Sequence, residues 1–117
     1  MKPTLGLILE YVDNIEESRA FYRDTLGLKE ERYHLAFVQY DGFAIASDSP
    51  VSGVRERELY WVVDDVEAAY REVKQSTSIT MELKELPFGR VFGVRSPGGE
   101  PHFILQWAAS RPSTATT

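Results

Sequence analysis

Apolar residues cluster or alternate over residues 5–9, 35–40, 43–47, 59–63, 79–86, 90–95 and 102–107, the period of strands with one or both faces buried. A shorter, weaker strand signal covers residues 29–33. Two other stretches repeat at helical spacing: Ile15, Ser18, Tyr22 and Leu26, then Val66, Ala69, Tyr70 and Val73. Asn14 and Asp65 stand where helix N-caps belong, and Glu17 and Glu67 occupy the place of a capping-box carboxylate. Asp41-Gly42 between apolar runs predicts a hairpin turn with positive φ at both positions. Pro97-Gly98-Gly99 predicts a second turn.

The two helical stretches belong to a repeat. Val12-Asp13-Asn14-Ile15-Glu16-Glu17-Ser18 matches Val63-Asp64-Asp65-Val66-Glu67-Ala68-Ala69 in chemistry at nearly every position, at an offset of 51 residues. Each block follows an apolar strand and precedes three more strand signals. The pattern is strand, helix, strand, strand, strand, twice. A first module over residues 1–50 and a second over 51–109 follow, joined at Ser49-Pro50-Val51-Ser52-Gly53, with a flexible polar tail at 110–117.

Composition narrows the chemistry. At 117 residues one domain overall is expected. There is no cysteine, which excludes disulfides, thiolate metal sites and a cysteine nucleophile. Thirteen Lys and Arg against 18 Asp and Glu give a net charge of −5, which disfavours nucleic acid and anionic membranes and suits a neutral or cationic partner. No apolar run approaches the roughly 18 residues needed to span a bilayer. The stretch at residues 5–9 is also too short for a leader, so a cytoplasmic location is expected. No Gly-x-Ser-x-Gly elbow, phosphate-binding Gly-x-x-x-x-Gly-Lys or dinucleotide Gly-x-Gly-x-x-Gly is present.

Val12-Asp13-Asn14-Ile15-Glu16-Glu17-Ser18-Arg19-Ala20-Phe21-Tyr22, running into Leu26-Gly27-Leu28, resembles the opening of the vicinal oxygen chelate superfamily of glyoxalases, dioxygenases and bleomycin-resistance proteins. Gly89-Arg90-Val91-Phe92-Gly93-Val94-Arg95-Ser96-Pro97-Gly98-Gly99-Glu100 resembles its closing segment, in wording closest to the bleomycin-resistance branch. The resemblance implies an α+β fold of paired βαβββ modules, whose eight strands curve into a cleft-bearing half-barrel. It also implies a homodimer.

Enzymes of the superfamily hold a divalent metal with four positions, and the resemblance locates each one here. Seven residues before Asn14 stands Leu7, and seven before Asp65 stands Glu58. The fourth-strand position falls at Ala46, or Ser47 with a slip of one. The last falls at Phe103, three residues after Glu100. Three of these side chains offer no lone pair, so no metal and no cofactor is expected; Glu58 and His102 are the weak candidates if the register slips. The duller reading of His102 is a residue facing the helix layer or solvent, and that of Glu58 a solvated strand end or an ion pair with Arg55 or Arg57.

Strand alternation carried through those positions lines a cleft with Leu7, Leu9, Tyr11, Glu58, Tyr60, Phe103, Leu105 and Trp107. Arg90 either touches the ligand or supports its strand. An apolar, aromatic lining with one carboxylate suits an aromatic or cationic small molecule. Non-catalytic binding is therefore the expected function. The alternative is a metal-dependent lyase, isomerase or dioxygenase with a non-standard site.

Overall fold

Among the described residues eight strands and two α-helices follow one another in the order β1 (Thr4–Tyr11), α1 (Ile15–Arg19), β2 (Arg32–His34), β3 (Phe37–Gln39), β4 (Phe43–Ala46), β5 (Glu58–Val62), α2 (Val66–Lys74), β6 (Met81–Leu86), β7 (Gly89–Arg95) and β8 (Pro101–Trp107). This is the mixed α+β class expected from the sequence. The structure, a computed structural model, describes residues 1–109; the polar tail expected at 110–117 lies outside them. Among the described residues no helix is long and apolar enough to cross a membrane.

The chain parts into two compact units. Of the described residues, one holds Leu7–Arg57; the other holds Met1–Gly6 and residues 58–109. In the first, the strand order is β2-β3-β4-β1, with β1 and β4 parallel and the other pairs antiparallel. In the second it is β5-β8-β7-β6, with β5 and β8 parallel and the rest antiparallel. The repeat seen in sequence is thus a repeat of connectivity as well.

Both N-caps form. Asn14 accepts the Glu17 amide at 3.0 Å, and Asp65 accepts the Ala68 amide at 3.0 Å. The capping-box expectation fails at Glu67. It stands only two residues past its cap, and its carboxylate instead takes Arg90 at 2.7 Å. After Arg19 the first helix loosens into a π-helical continuation over Ala20–Thr25, closed by Leu26 N–H donating to the Phe21 carbonyl at 3.0 Å.

Each unit has its own core. In the second, Val66 and Ala69 of α2 pack on Phe92 and Ile104 of the sheet, with Trp61, Tyr70 and Val73 around them. Phe92 is fully buried and meets Tyr70 edge-on at 5.2 Å. In the first, Val38, Tyr40 and Ile45 are buried against Ile15 and Tyr22. Burial pushes the Tyr40 phenol up to about 12, with the nearby Glu30 carboxylate adding to the rise.

The turns refine the reading. Of Asp41-Gly42 only Gly42 takes positive φ, at 71°. Leu35 and Ala36, read from sequence as the start of a strand, form the turn between β2 and β3. At the outer margin of its sheet, β6 carries the exposed charges Glu82, Lys84 and Glu85 and an irregular register between Met81 and Lys84.

Candidate functional site

In the second unit, β5 and β8 run parallel with Tyr60 opposite Phe103 and Val62 opposite Leu105. Side chains directly opposite share a face, and alternate residues along a strand do too. Glu58, Tyr60, Phe103, Leu105 and Trp107 therefore point the same way. The Tyr60 hydroxyl donates to Glu58 Oε1 at 2.9 Å, and its ring stacks on Phe103 with centroids 5.1 Å apart and planes at 21°. Glu58 is 0% exposed, Tyr60 5% and Phe103 3%. A carboxylate taken this far from water is tolerable only with polar partners, and the Tyr60 hydroxyl is one. The expected solvated strand end is not what forms here.

The opposite face of the same strands belongs to α2, and His102 lies on it. Trp61 Nε1–H donates to His102 Nδ1 at 2.9 Å, and the two rings lie nearly parallel. That bond uses the Nδ1 lone pair and leaves the ring proton on Nε2. His102 and Glu58 therefore stand on opposite sides of the sheet and do not converge. Arg90 is on the helix side as well. It lies opposite Gln106 and pairs with Glu67 in the first turn of α2. Of the two roles the sequence left open, strand support is the one with a bond to show. Gln106 serves the same helix, its Oε1 accepting the Val66 amide at 3.0 Å.

In the first unit, β1 pairs Leu9 with Ala44 and Tyr11 with Ala46. Leu7, Leu9 and Ala46 are buried at 3%, 6% and 2%, and Tyr11 is half-buried. These side chains share one face, as alternation predicts. The other face carries Glu10, which accepts a hydrogen bond from the Tyr22 hydroxyl at 2.8 Å.

A sequence profile described as a glyoxalase-like domain matches residues 5–100. The chain belongs to this family. Among solved structures, a Vibrio splendidus member of the glyoxalase/bleomycin resistance protein/dioxygenase superfamily is 23% identical, with a TM-score of 0.68 over 88% of this chain and 99% of the other. A Legionella pneumophila protein described as an NAD-dependent benzaldehyde dehydrogenase is 20% identical, with a TM-score of 0.76 over 87% and 98%. Methylmalonyl-CoA epimerase from Mycobacterium tuberculosis is 17% identical, with a TM-score of 0.69 over 89% and 87%. At these identities the likeness is one of fold. No curated protein matches the sequence.

Glyoxalase-like folds imply a divalent metal, and the donor set here can be tested for one. Leu7, Ala46 and Phe103 have no lone pair to give, and the carboxylate of Glu58 is the lone donor at the four positions. His102 is turned away and engaged by Trp61. Among the described residues no group of three or more His, Asp or Glu gathers at a point. These residues do not fit a metal centre of the family's kind.

The structure also separates the predicted ligand residues of this glyoxalase-like chain. Glu58, Tyr60, Phe103 and Leu105 are buried together. Trp107 and Arg90 instead border a hollow of about 510 Å³ at the end of the sheet, with Glu85, Leu86 and Pro87. Gly89 makes its floor. With φ at 156°, it brings β7 so close to β8 that a Cβ there would lie 2.3 Å from the Gln106 carbonyl oxygen. Sequence reasoning missed this hollow and Glu85 within it. The signal available was Pro87-Phe88-Gly89, a turn that sets a charged strand end beside Trp107.

Proposed function

We propose that this protein binds an aromatic or cationic small molecule without transforming it, in the manner of bleomycin-resistance proteins, and does so as a cytoplasmic homodimer. The observation that carries the reading is Glu58. A fully buried carboxylate, held by the Tyr60 hydroxyl beside the Tyr60–Phe103 stack, stands where the family places a metal ligand, while its three companions there have become Leu7, Ala46 and Phe103. A lone acid in an apolar, aromatic setting favours a cation with a flat apolar body. Leu7, Ala46 and Phe103 offer no donors to converge with Glu58 on a Lewis acid.

Glu58, Tyr60 and Phe103 are buried, so a ligand reaches them only by displacing the side chains that cover them. Binding then includes a conformational step and responds to it in rate. The test is a calorimetric titration with a panel of cationic and neutral aromatics, paired with metal analysis of the purified protein. The reading expects saturable binding of a cationic member that falls about tenfold in Glu58→Gln, the worth of one lost charge-assisted contact. Near-stoichiometric divalent metal that a chelator removes, or no heat from any member of the panel, would overturn it.

A further inference from the structure

In the first unit, the sheet face away from α1 has a relief that follows from the residues of β4. Its large side chains, Phe43 and Ile45, go to the helix side and join Val38 and Tyr40 there. What β4 leaves for the other face is Ala44 and Ala46. The pairings set Leu9 of β1 and Gln39 of β3 on either side of Ala44, and Phe37 of β3 beside Ala46. Side chains directly opposite share a face, as do alternate residues along a strand, so these five converge. Two methyl groups make the floor of a trough, with Leu9 on one wall and Phe37 and Gln39 on the other. Two strand spacings put those walls about 10 Å apart, the width of a flat ring system laid on the methyls.

Gln39 carries a group that the fold does not use. Its backbone carbonyl accepts the Glu31 amide at 2.7 Å. Its side-chain Oε1, however, is shut off from solvent and takes no hydrogen bond among the described residues. The residue as a whole is half-buried, so the amide is turned with its oxygen inward. A buried acceptor without a donor weakens the fold, and an apolar side chain of the same length would not. We propose that this trough binds a flat aromatic heterocycle bearing a ring N–H, and that Gln39 Oε1 accepts that N–H. The ring lies on Ala44 and Ala46 between Leu9 and Phe37, which supply the apolar contact. A ring that lacks the donor leaves the Gln39 oxygen unpaired, so Gln39 sets the specificity. Leu9, Ala44 and Ala46 are buried whereas Phe37 and Gln39 are half-buried, so the ring enters from the β3 side and displaces what covers the floor. This site lies within the first unit and does not depend on the reading of Glu58.

Two readouts test this, and the first needs no ligand. Gln39→Met keeps the length of the side chain and removes the acceptor. The free variant is expected to unfold about 4 °C higher than the unaltered chain, because an unpaired polar atom has left the interior. The second readout uses protein carrying carbon-13 at its alanine methyls. Indole, whose one polar group is a ring N–H, is expected to shift the Ala44 and Ala46 signals saturably through its ring current. Ala69, in the core of the second unit, stays in place. Gln39→Met is expected to raise the Kd for indole about tenfold, and 1-methylindole, the same ring without the donor, to bind the unaltered chain about tenfold more weakly than indole does. Three results would overturn the proposal: a Gln39→Met variant that unfolds no higher than the unaltered chain, alanine signals that stay still at millimolar indole, or equal affinity for indole and 1-methylindole. Still Ala44 and Ala46 signals with Glu58-dependent heat retained would remove this site alone and leave the first reading standing.

Discussion

The two halves share a strand order, a helix cap and a buried core, yet their helices are fixed in different ways. The second half relies on burial. Its helix is regular from Val66 to Lys74, places Val66 and Ala69 in the core, and lies over strands of seven residues. In the first half β2, β3 and β4 are three or four residues long, and the helix has no buried side chain. To its buried core of Val38, Tyr40 and Ile45 it adds polar clamps. Arg19 grips Glu30 with two bonds of 2.8 Å, reaches Glu16 at 3.1 Å, and stacks over Tyr33 at 3.8 Å. Tyr22 is tied to Glu10 beneath it. The lesson is that duplicated connectivity does not require duplicated energetics. A short helix that cannot bury a face can still be fixed by a well-formed guanidinium–carboxylate fork.

That contrast can be broken most forcefully in the second half. Phe92→Ala removes a fully buried ring from the centre of the α2 core and should cost about 3–5 kcal/mol, read as a lowered denaturation midpoint. A cost near 1 kcal/mol would mean that burial is not what holds this half. In the first half the corresponding target is polar. Arg19→Ala strands Glu30, whose side chain is only 8% exposed, and should cost about 2–3 kcal/mol. Hydrogen exchange should show the loss of protection in Leu7–Arg57, with α2 and β8 little changed. Equal loss in both halves would refute the division of labour.

The smallest expected effect is acid sensitivity. The hydrogen bond from Arg19 holds the Glu30 carboxyl below its ordinary value of 4.5, against the opposing pull of burial. A carboxyl depressed in the folded state contributes stability that is complete above the unfolded value and drains away as pH falls through the folded one. Exchange measured at pH 6 and again at pH 3 should therefore show the first half loosening before the second. The order reversed would place the acid-labile carboxylates elsewhere.

Much of this was legible in the sequence, and the parts that were not have a common cause. Strand and helix existence, both caps and the repeat follow from local periodicity and from Asn14 and Asp65, because such signals act within one turn or one strand. The grouping of Glu58, Tyr60, Phe103 and Leu105 came from alternation carried through the positions that the family resemblance located. Arg90 could not be placed that way. Its partner Glu67 lies 23 residues away, and only the register of β7 against β8 decides which face it takes. The same holds for Arg19 and Glu30, 11 residues apart across the π-helical turn. That turn also explains why Leu26, on the predicted apolar stripe, ends up 54% exposed: the wider turn rotates later residues off the stripe. Partnerships across a gap in the chain leave no local mark.

The charged rim of β6 has a consequence for life in a crowded solution. A strand at the margin of a sheet offers unpaired amides and carbonyls to any other extended polypeptide nearby. Glu82, Lys84 and Glu85, with the break in register between Met81 and Lys84, make that margin a poor template. Neutralising Glu82 and Glu85 together would remove that guard and open the margin to fibre growth.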